Sequence, residues 1–450
     1  RLGRVLIGPA WPAIVAVALL GTNYSFVSYA TGGLETMLQT CCIVWAHVLV
    51  ARSLTEDRGL TVVRALGVSA LAGLAGLTRM DSAALLLPAG LACAMMARLR
   101  LKTWLALLFP VALLIGPWLA WKLSYYGGIL PNTFAAKLGA SLTPERGVWY
   151  LVLFAFVYAL PVLAIAHLRE RPLQHLRSTR GYVWCLLVPI AVWSSYIVYS
   201  GGDFMEFRFL IALSPFIMLL LAAPMALVRV RTVGVMLAVY VGASSFHGAF
   251  FEKMPWYRAI EGIPQLGHHP TDPRDGWLQL GESLNEDVGR TLETDNHVLI
   301  ALMQAGAIAW TSSLPVDDKF GLNDADVARE GVPLTERAGH RKVSTIAMLL
   351  EKEVHLAITH PKIFDPSMLD ESGLFKMEEL HKLYMLRRVP DPSQFPAGTR
   401  IVAMPNRPGE ADLKIIAIYL TPHPAVDELI ERGAWDVYTV DLSEVDDEGS

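Results

Sequence analysis

Charged side chains are scarce in the first 250 residues of this 450-residue chain, and several gather beside glycines and aromatics. Glu35 follows Gly32-Gly33, Arg79 and Asp81 flank Met80, and Lys137 closes the stretch Ser124-Tyr-Tyr-Gly-Gly-Ile-Leu-Pro-Asn-Thr-Phe-Ala-Ala-Lys137. Asp203, Glu206 and Arg208 belong to Gly201-Gly-Asp-Phe-Met-Glu-Phe-Arg208. A basic group beside a glycine turn and a helix N-terminus can hold a phosphate through charge and backbone N–H donors together. Arg208 fits that description. A neighbouring carboxylate can act as a base, bind hydroxyl groups or hold a divalent ion, and Asp203 is the candidate. Each residue also has a plainer reading: Glu35 as a helix cap, Arg79 and Asp81 as a mutual stitch, Arg208 as an interfacial anchor.

These residues punctuate apolar runs. Hydrophobic residues make up 53% of the chain and charged residues 18%, but residues 1–250 hold the apolar runs and 251–450 most of the acids. The net charge of −4 averages over both halves and says little about partners. The runs fall near 5–21, 33–51, 62–78, 81–97, 103–123, 146–168, 181–199, 208–227 and 232–248. Segments of about 17–20 such residues suit a hydrocarbon core roughly 30 Å thick. They predict about nine membrane spans, with 62–97 open to a second reading as buried or re-entrant helices.

Arg and Lys fall in alternate connections, at Arg1 and Arg4, Arg52 to Arg64, Arg98 to Lys102, Arg169 to Arg180, and Arg229 and Arg231. That side is expected to be cytoplasmic. The connections 22–32, 78–82, 124–146 and 200–207 then face outward, and an odd span count puts the C-terminal domain with them, in a bacterial periplasm or its equivalent. The chain opens at Arg1 and runs almost at once into an apolar stretch, so it is expected to be part of a longer protein.

From about residue 251 the pattern changes to that of an α/β domain. Buried strands are expected at 298–302, 355–359, 400–404 and 414–419, with helices at 273–292, 343–353 and 424–432. Asp317, Asp318, Asn323 and Asp324 around Gly321 lack EF-hand spacing and read better as a turn before an N-capped helix. His268-His269 reads as an exposed turn. Cys41, Cys42, Cys93 and Cys185 all lie in apolar runs without zinc-ligand spacing and read as packing residues. No P-loop, nucleophile elbow or basic run appears, and a nucleic-acid partner is not expected.

The motifs Thr31-Gly-Gly-Leu-Glu-Thr-Met-Leu38, Gly76-Leu-Thr-Arg-Met-Asp81, Tyr125 to Lys137 and Gly201 to Leu210 resemble the GT-C membrane glycosyltransferases. More narrowly, they are similar to the branch holding the mycobacterial terminal arabinofuranosyltransferase and the flagellar motor control proteins known as ZomB. The resemblance covers most of the membrane half, and the last two motifs are its most specific part. Ala305 to Arg329 is similar, more weakly, to a segment of the same group. The resemblance implies transfer of a sugar, arabinofuranose or a hexose, from a polyprenyl-phosphate carrier to a glycan acceptor outside the cytoplasmic membrane.

On that footing Arg208, Lys137 and Arg79 would hold the carrier phosphate, and Glu35, Asp81, Asp203, Tyr125 and Asn132 would contact sugar or acceptor. A divalent cation is compatible and not demanded. The family's acidic residue in the first external loop has no counterpart in 22–32, so the catalytic base is expected upstream of Arg1. Replacing Arg208 by Ala is expected to abolish transfer while leaving expression intact. The competing class is a non-catalytic membrane protein with an external sensing or assembly domain. A transporter would favour internal repeats and mid-membrane charge pairs, which are not evident.

Overall fold

The computed structural model describes residues 1–8, 10–97, 100–133, 143–169, 179–227, 229–247, 260–272, 274–303, 306–334, 341–358, 360–384, 395–396, 398–406 and 413–440. It divides into two compact units. The first comprises Arg1–Ile129 and Leu142–Ile263, and the second Leu130–Ser141 and Pro264–Ser450.

The first unit is helical. Among the described residues, Thr36–Thr55, Leu101–Tyr126 and Thr179–Ser200 are long and apolar enough to cross a membrane, and Ala10–Gly21 with Tyr24–Thr31 would make a fourth span bent by 70°. The helices Val62–Thr78, Ser82–Ala97, Ser214–Met225 and Val230–Ser245 are apolar but shorter. At 1.5 Å per residue, a helix of about 16 residues reaches roughly 24 Å, short of a 30 Å core. Length in sequence is therefore not length in helix. The run 146–168 divides into Pro144–Val157 and Leu160–Arg169 around Ala159, whose φ is +50°. The run 208–227 divides into Arg208–Ile211, Ser214–Ala222 and a 3₁₀ turn. The connection 22–32, expected to be a loop, is mostly the helix Tyr24–Thr31, capped by Asn23 accepting from the Phe26 N–H.

Close helix approaches rest on glycines. A Cβ at Gly147 would lie 2.5 Å from Val198 Cα, so the Pro144–Val157 and Val188–Ser200 helices meet backbone to backbone. Gly73 and Gly76 likewise admit Leu114 and Ile115 of the Leu101–Tyr126 helix. Small residues give this kind of packing within an apolar phase. Buried aromatics, including Trp193, Tyr150, Phe154, Tyr158, Phe207 and Phe216, fill the interior.

The second unit is built on a six-stranded sheet: β1 (Ile300–Leu302), β2 (Val316–Asp318), β5 (Leu356–Ile358), β6 (Arg400–Pro405), β7 (Lys414–Tyr419) and β8 (Asp436–Thr439). A separate pair, β3 (Val332–Pro333) and β4 (Lys342–Val343), is antiparallel. The sheet order is β2-β1-β5-β7-β6-β8, with β2, β1 and β5 parallel and the others joined antiparallel. Alternate residues feed two cores, Ala301, Ala357 and Ile401 on one face and Ile300, Leu356 and Val402 on the other. Burial on both faces explains the continuous apolar strand sequences.

The acidic stretch around Gly321 is only partly a turn. Asp317 and Asp318 lie in β2, and Asp324 caps the helix Ala325–Glu330 by accepting from the Asp326 and Val327 N–H groups. His268 and His269 end the helix Ile263–Thr271 instead of forming a turn; His268 pairs with Asp272, and His269 stacks on Trp277.

Candidate functional site

Five of the charged residues singled out by sequence meet in the first unit, brought there from three connections. Thr78 ends its helix and the chain turns at Arg79, whose guanidinium donates from Nε and Nη2 to the two oxygens of Asp81, at 3.0 and 2.6 Å. Its Nη1 reaches Glu35 Oε1 at 2.9 Å. Glu35 begins the Thr36–Thr55 helix but makes no capping bond with its side chain. Its carboxylate is committed to Arg79 instead of the helix terminus. Gln39, one turn along that helix, donates to Asp81 Oδ1 at 3.2 Å and to Ser82 Oγ at 2.9 Å, joining the break to both neighbouring helices.

Arg208 repeats the fork geometry. Its Nε donates to Asp203 Oδ2 at 2.7 Å and its Nη2 to Asp203 Oδ1 at 3.1 Å. The Asp203 side chain is fully buried and the Arg208 side chain 16% exposed. Two-point pairing of this kind is the strong form of a carboxylate–guanidinium contact. Phe209 links the pairs: Arg79 Cζ lies 5.5 Å and Arg208 Cζ 5.7 Å from its ring centroid. Both are within cation–π range.

The loop that makes this possible starts with Gly201 and Gly202, at φ +77° and +78°. Gly201 ends the preceding helix in the left-handed conformation, and its N–H meets carbonyls of the last turn. A Cβ at Gly202 would come within 3.1 Å of Tyr150. Phe207 adopts φ +45°, unusual for an aromatic residue, and is held there by Tyr150, Phe154 and Tyr158 around its fully buried ring. Backbone strain of this kind persists only where packing over-determines it. It separates the commitments of the residues on either side.

Arg208 goes to Asp203, whereas Glu206 enters a buried network of its own. Glu206 Oε1 accepts from Ser25 Oγ at 2.5 Å and lies 2.7 Å from His247 Nε2, while Oε2 accepts from the Ile263 N–H at 2.9 Å. Tyr158 joins through Ser25, its hydroxyl 2.6 Å from Ser25 Oγ. This network is structural in form: it ties the Tyr24–Thr31 helix, the glycine loop and the chain at 261–263 together.

The remaining sequence candidates are elsewhere. Tyr125, 70% exposed, closes the Leu101–Tyr126 helix and packs with Trp121 and Tyr126. Asn132 belongs to the second compact unit, and Lys137 lies outside the described residues. Sequence reasoning missed Lys122, whose Nζ donates to the Ile129 carbonyl at 2.8 Å and lies 3.9 Å from Met80 Sδ, beside Arg79 and Asp81. Its signal was available: a charge near the end of an apolar helix is costly and seldom idle. Tyr29 was also missed. It is buried, and its hydroxyl has no hydrogen-bond partner among the described residues. Nothing in the sequence separates it from an ordinary interfacial tyrosine.

The local balance is three carboxylates, from Glu35, Asp81 and Asp203, against the guanidiniums of Arg79 and Arg208. The carboxylates therefore preorganise the cations and also compete with any incoming anion. Among the described residues no group of three or more His, Cys, Asp or Glu side chains is arranged to hold a metal ion.

In the second unit, Lys352 donates to Asp317 Oδ1 at 2.8 Å and also pairs with Asp324. Burial pushes the Asp317 carboxyl above its ordinary range despite Lys352. Asp324 is held below its ordinary range: burial opposes this, but Lys352 and the backbone N–H groups outweigh it.

A family model described as a domain of unknown function (DUF8728) matches residues 276–413, a stretch running from before β1 to beyond β6. No curated protein matches the chain, and no solved structure does.

Proposed function

We propose that this chain is the membrane and extracytoplasmic part of a glycosyltransferase of GT-C type, moving arabinofuranose or a hexose from a polyprenyl-phosphate carrier to a cell-envelope glycan. The observation that carries this reading is the meeting of Arg79 and Arg208 at Phe209, each oriented by a two-point carboxylate contact. A lipid-linked sugar phosphate leaves as a phosphate, so its transfer needs cations at the departing oxygen and a base at the acceptor hydroxyl. Arg208 and Arg79 fill the first role. Asp81, Asp203 and Glu35 orient the cations, and Glu35, the most exposed of the three, offers an acceptor to sugar hydroxyls. The base comes from residues outside this set.

In this reading the shorter apolar helices complete a bundle of about nine crossings in the bacterial cytoplasmic membrane. The arginine-rich connections face the cytoplasm, and the mixed-sheet unit lies on the outer side, where it binds or orients the acceptor. A non-catalytic sensing or assembly role is favoured by one observation only: the carboxylates already neutralise both guanidiniums.

The test is sugar transfer in membranes carrying the full-length protein, supplied with radiolabelled polyprenyl-phosphate arabinofuranose or hexose. Transfer by the parent and its loss in Arg208→Lys, which keeps a charge opposite Asp203 but not the two-point fork, is the expected result. A parent that transfers neither sugar would remove the enzymatic reading.

A further inference from the structure

We propose that the Tyr29 hydroxyl is the hydrogen-bond donor that, with the remaining edge of Arg208, receives a phosphate oxygen. The inference rests on the phosphate reading above and adds a residue to it. Tyr29 lies in the Tyr24–Thr31 helix, 5% exposed, with no partner for its hydroxyl among the described residues. Buried hydroxyls without partners are rare because they forfeit water without replacing it. The neighbouring phenols follow that rule: Tyr158 bonds Ser25, Tyr240 bonds Asn23, and Tyr150 donates to the Met205 carbonyl.

Tyr182 is also partnerless among the described residues, but it has a different setting. Tyr29 lies one turn beyond Ser25 on the same face of a helix that packs against Arg208–Ile211, and Ser25 bonds Glu206 of the glycine loop. The charged groups of that loop are otherwise committed. Glu206 is taken by Ser25, His247 and the Ile263 N–H, and Asp203 by Arg208 and the Phe204 N–H. Arg208 spends Nε and Nη2 on Asp203, which leaves Nη1, with the side chain 16% exposed.

Among the described residues two donors therefore stand beside one loop without acceptors: a neutral O–H and one arm of a guanidinium. A phosphate answers both, since it has several anionic oxygens and no need to donate. A sugar hydroxyl would satisfy the phenol but gain little from the guanidinium charge. The phenol is covered in this structure, so entry of the phosphate requires a small local opening around Tyr29. The donor then exchanges an unmet hydrogen bond for a charged one on binding.

The experiment uses the full chain in lipid nanodiscs, with a polyprenyl monophosphate and inorganic phosphate as separate probes. Tyr29→Phe removes only the oxygen. It is expected to melt at or above the temperature of the parent and to bind the polyprenyl monophosphate about tenfold more weakly, the effect of one hydrogen bond to a charged acceptor. If Tyr29→Phe binds both probes as tightly as the parent, or melts lower because the hydroxyl had a structural bond, the assignment to Tyr29 is overturned and the phosphate reading survives. If the parent binds only inorganic phosphate, and does so through Tyr29, the donor assignment stands and the lipid carrier is wrong. If the parent binds neither, both inferences fail together.

Discussion

Arg208→Ala provides the sharpest quantitative test of the site, because burial decides what it does. The Asp203 side chain has no exposed surface, and among the described residues its only charged partner is Arg208. Removing Arg208 leaves that carboxylate, among the described residues, with one hydrogen bond, from the Phe204 N–H at 2.9 Å. Breaking a buried ion pair from one side costs about 3–5 kcal/mol, since the remaining charge has neither water nor partner. At roughly 2–4 °C per kcal/mol for a domain of this size, the melting temperature should fall by about 10 °C.

Asp203→Asn should cost less, about 1–3 kcal/mol, because Arg208 keeps a route to solvent and the amide oxygen can still accept a hydrogen bond. The double variant Asp203→Asn/Arg208→Gln should recover much of the loss. Burial thus revises the expectation that Arg208→Ala spares the folded protein: lost transfer in that variant would mix stability with chemistry, and the conservative Arg208→Lys is the cleaner probe. The assay is thermal unfolding of the full chain in nanodiscs, followed by tryptophan fluorescence. An Arg208→Ala protein melting within about 1 °C of the parent, or an Asp203→Asn protein melting lower than Arg208→Ala, would refute the burial argument.

Three other outcomes are expected. Gly147→Ala should force apart the helices that meet at Val198 and cost about 1–3 kcal/mol, seen as a lower melting temperature with no change at the charged loop. Asp324→Ala should lose the helix cap at Ala325 and one partner of Lys352, costing about 1–2 kcal/mol in urea unfolding of the second unit; an unchanged midpoint would show the cap to be dispensable.

His355 should make stability pH-dependent. Burial, with the nearby His423, lowers it from 6.5 to about 4. The unfolded chain therefore takes up its proton first, and stability should fall as the pH drops from 6.5 toward 4 and level off below. About 1–2 kcal/mol is expected after discounting for the water that reaches the ring. His355→Gln should flatten this part of the unfolding profile.

The four strands legible in the sequence, β1, β5, β6 and β7, are apolar on both faces because both faces are covered. β2 was not legible because two of its three residues are aspartates, and Lys352 and the turn amides that help make such a strand tolerable are distant or invisible in sequence. In the first unit, hydropathy locates the apolar runs but not their breaks. The break at Ala159 comes two residues before Pro161, a helix breaker that a reading by hydropathy alone passes over. The charged residues of the site stood out by type, and their company beside glycines marked the right loops. Their pairing did not, since Glu35 and Arg79 are 44 positions apart and meet only through the fold.

The two margins of the mixed sheet differ from its middle strands in what they offer another chain. β2 is three residues long, and its aspartates are already spoken for. At the other margin, the Phe375 N–H bonds the Thr439 carbonyl and Phe375 bridges Val440, so part of β8 is occupied. A short acidic strand and a covered one give an approaching chain little open backbone to copy, the usual defence of sheet proteins against strand addition. Until the sheet is complete, strands as apolar as β6 and β7 are exposed to like segments of other chains, and margins of this kind then matter most.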